Sequence, residues 1–232
     1  MTPDLSRRIK ERLFVHIIES PSPDDLLDGL TEGAALSEAL KIAGIKQCYS
    51  LATDEDTFLK AMSMRLGQAV KDLRAFPVIH FSMHGSAKGL GLTNGHLIEW
   101  EQLGGYFKAI RASLKWEIIA CISSCFSARA IGMAMSEEEG DPPFHNLVGH
   151  PGSPSWGDAA VAFIAFYHLL FKGYSMQDAV KGMNVAAGDG QFRLFYGEDV
   201  QRLWRDMMED PEPRAFSRAV DSLASLYDKE HE

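Results

Sequence analysis

The chain has 232 residues, 46 % apolar and 24 % charged, with a formal net charge of −9. That apolar share sustains a packed core and excludes a disordered chain. Three cysteines, few and odd in number, do not make a disulfide scaffold, and the acidic balance argues against direct nucleic-acid binding.

The length fits one domain, read here as 1–232. No run approaches the roughly 18 apolar residues of a membrane-spanning helix. Residues 1–11 are polar and lack the apolar core of a secretory leader. Cys48, Cys121 and Cys125 are therefore expected as free thiols in a reducing cytoplasm, away from membranes.

Residues 13–18, Leu-Phe-Val-His-Ile-Ile, read as a buried strand ending at a proline-rich break. Residues 24–43 carry apolar side chains at helical spacing, with Ser22 or Asp24 placed as the cap. A strand fits 47–51, a helix 57–73 and a third strand 76–83, closed by His84-Gly85. Residues 89–100 read as a hairpin, because Asn94-Gly95 suits a two-residue turn with φ > 0 at both positions. A helix at 101–112, a strand at 116–124 and a weaker strand at 144–148 follow. Residues 156–171 form a strongly apolar helix, 176–187 another, and 191–196 a last strand. From about residue 198 the tail is helical and charged, broken near Pro211 and Pro213. Alternating strands and helices predict an α/β fold, a mostly parallel central sheet with helices on both faces.

Ligands of such sheets bind beyond the carboxyl ends of the strands. His84 ends one strand and Cys125 the next, 41 residues later. On neighbouring strands they would meet as an imidazole–thiolate pair able to attack a carbonyl. Gly85 admits a close-lying substrate backbone, and its N–H with that of Cys125 would hold an oxyanion. Cysteine is also among the most buried residue types, so a packing role competes with this reading. The pairs His80/His84 and Cys121/Cys125 are spaced i, i+4. Along a strand that separation is about 13 Å, too far for one metal ion. No metal site or cofactor is expected.

The segment Ile79-His80-Phe81-Ser82-Met83-His84-Gly85, the hairpin, and Ile118-Ile119-Ala120-Cys121-Ile122-Ser123-Ser124-Cys125 together resemble the core of caspase-like (clan CD) cysteine peptidases, and more closely their bacterial CHAT type. Ser155-Trp156-Gly157-Asp158-Ala159-Ala160, Phe166-Tyr167 and Gly173-Tyr174-Ser175 extend the resemblance, which covers about 13–195. It implies a caspase-like fold, with His84 as general acid or base and Cys125 as nucleophile. It also implies that Ser123 lines the pocket for the residue before the scissile bond. A protein substrate and an activating partner protein follow from the same likeness, as does a role in bacterial antiviral defence or regulated death.

The sequence departs from caspases at Ser123-Ser124-Cys125-Phe126-Ser127, and residues 14–40 contain no Lys or Arg. Without an arginine a pocket pairs a substrate carboxylate poorly. Should Asp24, Asp25 or Asp28 reach the pocket, a basic residue is favoured instead; the alternative is that they serve the helix macrodipole. Ser155, Trp156 and Asp158 are placed to line the cleft. Residues 137–143 form an acidic loop and a candidate processing site. Gly188-Asp189-Gly190 reads as a turn. A catalytically silent caspase-fold scaffold is the competing reading, and a thiol-dependent hydrolase or transferase acting on a small substrate is a third.

Overall fold

The computed structural model describes residues 9, 11–136 and 140–209. β1 (Leu13–Ser20) is buried from Phe14 onward. It is covered on both faces, which explains its continuous apolar run. β2 (Gln47–Leu51), β1, β3 (Phe76–Gly85), β6 (Ile119–Ser123) and β7 (Asn146–Gly149) lie side by side in that order, all parallel. β8 (Arg193–Tyr196) closes the far edge antiparallel to β7. The short pair β4 (Gly89–Gly91) and β5 (Leu97–Glu99) hangs from the end of β3.

Side chains alternate between two cores. On one face Val15, Ile17, Val78, Cys121 and Val148 pack against α2 (Glu32–Ile42), α6 (Trp156–Phe171) and α7 (Met176–Ala187). On the other, Phe14, Ile18, Ile79, Phe81 and Ile122 meet α3 (Glu55–Lys60), α4 (Leu66–Leu73) and α5 (Trp100–Leu114). α8 (Gly197–Glu209) ends the described chain, so the expected break near Pro211 and Pro213 lies outside the described residues. No described helix is long and apolar enough to cross a membrane.

Three local expectations are corrected. The helix expected at 24–43 is two, α1 (Pro23–Asp28) and α2, because Gly29 takes φ +72° and caps α1. The helix expected at 57–73 carries a π turn at Ala61–Arg65, between α3 and α4. The hairpin tip spans five residues, since Gly95 has φ +85° while Asn94 does not take a positive φ. Asn94 instead donates its N–H to Thr53 and accepts from the His96 N–H.

His16 explains how the π turn is tolerated. It is fully buried, and its Nε2–H donates to the Ala61 carbonyl at 3.0 Å, where the π turn begins. Burial lowers its pKa from 6.5 to about 4, with nearby Arg65 adding to the effect and the Ala61 bond opposing it. The unfolded chain thus binds this proton first as pH falls. His16 alone is expected to remove about 2–3 kcal/mol of stability between pH 7 and 4.5. His16→Gln, which keeps a donor but does not titrate, should remove that much of the slope in urea melts at the two pH values.

Candidate active site

The parallel sheet brings the ends of β1, β3 and β6 to one edge. Glu19 lies beside Ser82, and Ser82 beside Ser123. His84 follows on β3 in the same phase of side-chain alternation, and Cys125 stands in the turn two residues past the end of β6.

Their backbones nearly touch. A Cβ on Gly85 would strike the Cys125 carbonyl oxygen and lie 2.6–2.8 Å from the Ser124 side chain. Only glycine allows this approach. A cleft of about 80 Å³ opens there, with His84, Ser123, Cys125, Pro154, Trp156 and Ala159 in its lining. The His84 ring is half exposed and meets the Trp156 ring edge-on at 5.3 Å.

The imidazole has a carboxylate partner. His84 Nε2–H donates to Asp25 Oδ2 at 2.6 Å. A carboxylate only accepts, so the neutral ring carries its lone pair on Nδ1, the nitrogen able to take a thiol proton. Asp25 also receives the Ser22 N–H at 3.1 Å and the Ser22 hydroxyl at 2.6 Å, in the capping box of α1. Burial pushes the Asp25 pKa up, but the bonds from Ser22 and His84 outweigh it and hold the carboxyl below its ordinary range.

Cys125 sits between β6 and a 3-10 helix (Ser127–Ala134). The turn is made by Phe126, a non-glycine residue with φ +55°, a conformation that costs about 1–3 kcal/mol. The other thiol on this row is inert. Cys121 is fully buried, which pushes its pKa up to about 12.

Behind Ser123 the row stays polar. Glu19 accepts the Gly33 N–H at 2.7 Å, the Ala34 N–H at 3.0 Å and the Tyr49 hydroxyl at 2.7 Å. Burial raises its pKa against those bonds. His80 Nδ1 bonds the Tyr167 hydroxyl at 3.0 Å, and its Nε2 stands 4.0 Å from Glu32 Oε2. Among the described residues, Ser82 Oγ, Ser123 Oγ, His80 Nε2 and both Glu32 carboxylate oxygens are buried without a hydrogen-bond partner.

The remaining sequence candidates separate. Ser123 and Trp156 are in the cleft lining. Ser155 and Asp158 are exposed and cap α6, with the Asp158 N–H on Ser155 Oγ at 3.1 Å and the Ser155 hydroxyl on Asp158 at 2.7 Å. Asp24 and Asp28 are exposed on α1 and stay out of the lining, and Asp25 is committed to His84. None of the three aspartates lines the cleft, and Asp24 and Asp25 lie in the first turn of α1, as the helix-dipole alternative has it. The acidic loop's Glu137, Glu138 and Glu139 lie outside the described residues, while Asp141 pairs with Arg111 at 2.9 Å. Among the described residues no three His, Cys, Asp or Glu side chains gather as a metal ion requires. Two contributors escaped the sequence reading, the Asp25–His84 bond and buried Glu32. The Ser-x-x-Asp spacing of Ser22 and Asp25 signals the start of α1, but not the bond to His84.

Protein-family models and curated proteins give no match to this sequence. Solved structures do. Gingipain R (RgpB), described as an Arg-specific cysteine proteinase, matches 83 % of this chain with a TM-score of 0.50 at 11 % identity. The chain has a caspase-like fold. The match covers 50 % of the gingipain chain, so this chain spans about half of its length. The complex of Porphyromonas gingivalis RgpB pro- and mature domains matches with a TM-score of 0.47 at 12 % identity, over 83 % of this chain and 51 % of the other.

The close approach at Gly85 yields a direct test. Gly85→Ala forces β3 away from the Cys125 turn. It should lower stability by about 1–3 kcal/mol, as overpacking does, and slow alkylation of Cys125 by iodoacetamide. Gly95→Ala, where no heavy atom lies within 4 Å but φ is +85°, serves as the control for backbone strain alone.

Proposed function

We propose that this protein is a cysteine endopeptidase that uses His84 and Cys125. The carrying observation is that both side chains line one cleft while Asp25 holds the imidazole from its far nitrogen. His84 Nδ1 takes the Cys125 proton, and the thiolate sulfur bonds the substrate carbonyl carbon. The tetrahedral oxyanion is received by the N–H groups of Cys125 and Gly85. The imidazolium returns its proton to the departing amine as the C–N bond breaks, leaving a thioester. Water, deprotonated by His84, hydrolyses the thioester and restores the thiol. Asp25 stabilises the imidazolium and fixes its tautomer, the part a carboxylate plays beside a catalytic histidine. Thiol and imidazole complete this chemistry without a cofactor.

The residue before the scissile bond enters along Ser123, and a long basic side chain suits the polar row behind it. Glu32 supplies there a buried carboxylate without a hydrogen-bond partner, 4.0 Å from His80, and Ser82 and Ser123 supply hydroxyls. The arginine specificity in gingipain R's description belongs to that protein; for this chain the preference rests on Glu32. The sequence's resemblance to the CHAT type supports reading the enzyme as a cytoplasmic effector that cleaves a protein partner in bacterial defence or regulated death, under the control of an activating protein.

Fluorogenic peptides varied at the residue before the cut test the reading. The wild type should cleave after Arg or Lys, and Cys125→Ala and His84→Ala should abolish turnover. Asp25→Asn should lower kcat at least ~10-fold, because the tautomer is no longer imposed. Glu32→Gln should weaken kcat/KM for basic peptides about 10-fold or more, the scale of a lost charged hydrogen bond, and spare neutral ones. A wild type that cleaves nothing and whose Cys125 alkylates no faster than a model thiol would overturn the assignment.

A further inference from the structure

The strained turn after Cys125 is held from outside the cleft. The Phe126 N–H donates to the Gly152 carbonyl at 2.7 Å, and the Ala128 N–H to the His150 carbonyl at 3.0 Å. In return the His150 N–H donates to Ser127 Oγ at 2.8 Å. The two segments lie so close that a Cβ on Gly149 would sit 3.0–3.1 Å from Ser127 and Ala128 backbone atoms.

The shape of that second segment depends on one side chain. His150 is 3 % exposed, and its Nδ1 accepts the Gly152 N–H at 3.0 Å. Its Nε2–H donates to Asp189 Oδ2 at 2.8 Å, and its ring meets Phe192 edge-on at 5.0 Å. Asp189 sits between Gly188 (φ +70°) and Gly190 (φ +73°), the turn leading from α7 to β8. That connection is pinned too, because the Asn184 side chain bonds the Phe192 carbonyl at 3.0 Å and the Phe192 N–H at 2.9 Å. The path therefore runs from Asp189 through His150 and Gly152 to the peptide joining Cys125 and Phe126.

We propose that His150 and Asp189 are positioning residues for the nucleophile. Asp189 imposes the tautomer in which Nδ1 is an acceptor. That acceptor bends Gly152 back, and the Gly152 carbonyl holds Phe126 in its left-handed conformation. The Cys125 thiol is thereby kept on the cleft and the Cys125 carbonyl against Gly85. Neither side chain is in the cleft lining, so both act through backbone. The assignment to catalysis rests on the peptidase reading, whereas the tie itself does not.

Four variants of the full chain test it: His150→Ala, His150→Asn, Asp189→Ala and Asp189→Asn. Asparagine at 150 places a carbonyl oxygen near the position of Nδ1 and keeps the bond to Gly152. Two quantities are read, hydrogen exchange at the Phe126 and Ala128 amides, and kcat and KM on the best peptide. Exchange should accelerate in His150→Ala and Asp189→Ala. Their kcat should fall about 10- to 100-fold, the scale of a slightly misplaced reacting group, with KM within about twofold. His150→Asn should recover most of the loss, and Asp189→Asn, which keeps one acceptor oxygen, should lie between. Two results would overturn the proposal. One is unchanged exchange in His150→Ala. The other is a kcat loss that merely tracks the unfolded fraction by circular dichroism, with His150→Asn as impaired as His150→Ala. If the wild type cleaves no peptide, the peptidase reading fails, and the exchange data alone still decide whether the pair holds the turn.

Discussion

The pairing of β3 with β6 sets the register on which the cleft depends. Ser82 lies opposite Ser123, His80 opposite Cys121 and Val78 opposite Ile119. Each strand alternates strictly between two buried faces, so a slip by one residue would exchange the cores and turn His84 away from the cleft. The alternation that sorts Val78 from Ile79 therefore also aims the imidazole. Moving along the row, Val78 gives way to His80, Ser82 and His84, while Ile119 gives way to Cys121, Ser123 and Cys125. The site is the polar end of a row whose beginning is core.

What the sequence disclosed follows from which forces are local. α6 and α7 run over the ranges that apolar periodicity predicted, 156–171 and 176–187, and the structure adds their Ser155 and Ser175 caps. Strand ends were legible because β1 and β3 are buried on both faces and stop at prolines or glycine. Features created by contacts distant in sequence were not. The π turn is matched by His16, 45 residues away. Asp25 reaches His84 across 59 residues and Asp189 reaches His150 across 39. Gly29 was legible as a helix stop in principle, but the apolar spacing on either side of it concealed the break.

The acids between Phe14 and Leu40 show why a charge count locates a region without assigning roles. Glu19 turns inward and accepts the first N–H groups of α2, which would otherwise be orphaned at a buried helix start. Asp25 holds His84. Glu32, buried beside His80, keeps both oxygens unpartnered. Asp24 and Asp28 stay in solvent, with Asp24 in the first turn of α1, where a carboxylate suits the helix dipole. These five of the region's six acids have four different surroundings, separated only by tertiary structure.

His84 and Cys125 are supported unequally. Cys125 is backed through Phe126, Ser127 and Ala128 by bonds with His150 and Gly152, and His150 is in turn held by Asp189. His84 is backed by Asp25, on a six-residue helix with no buried residue. α1 leaves Leu27 87 % exposed, so little apolar burial anchors it. Its ties to the body are the chain at buried Pro21, whose carbonyl accepts the Thr93 hydroxyl at 2.7 Å, and the Asp25–His84 bond itself. Beside the edge-on contact with Trp156, the imidazole's orientation rests on the seating of α1, and anything that moves α1 moves Asp25 with it. The geometry of Cys125 is set by buried structure, whereas that of the half-exposed His84 ring is set largely at the surface.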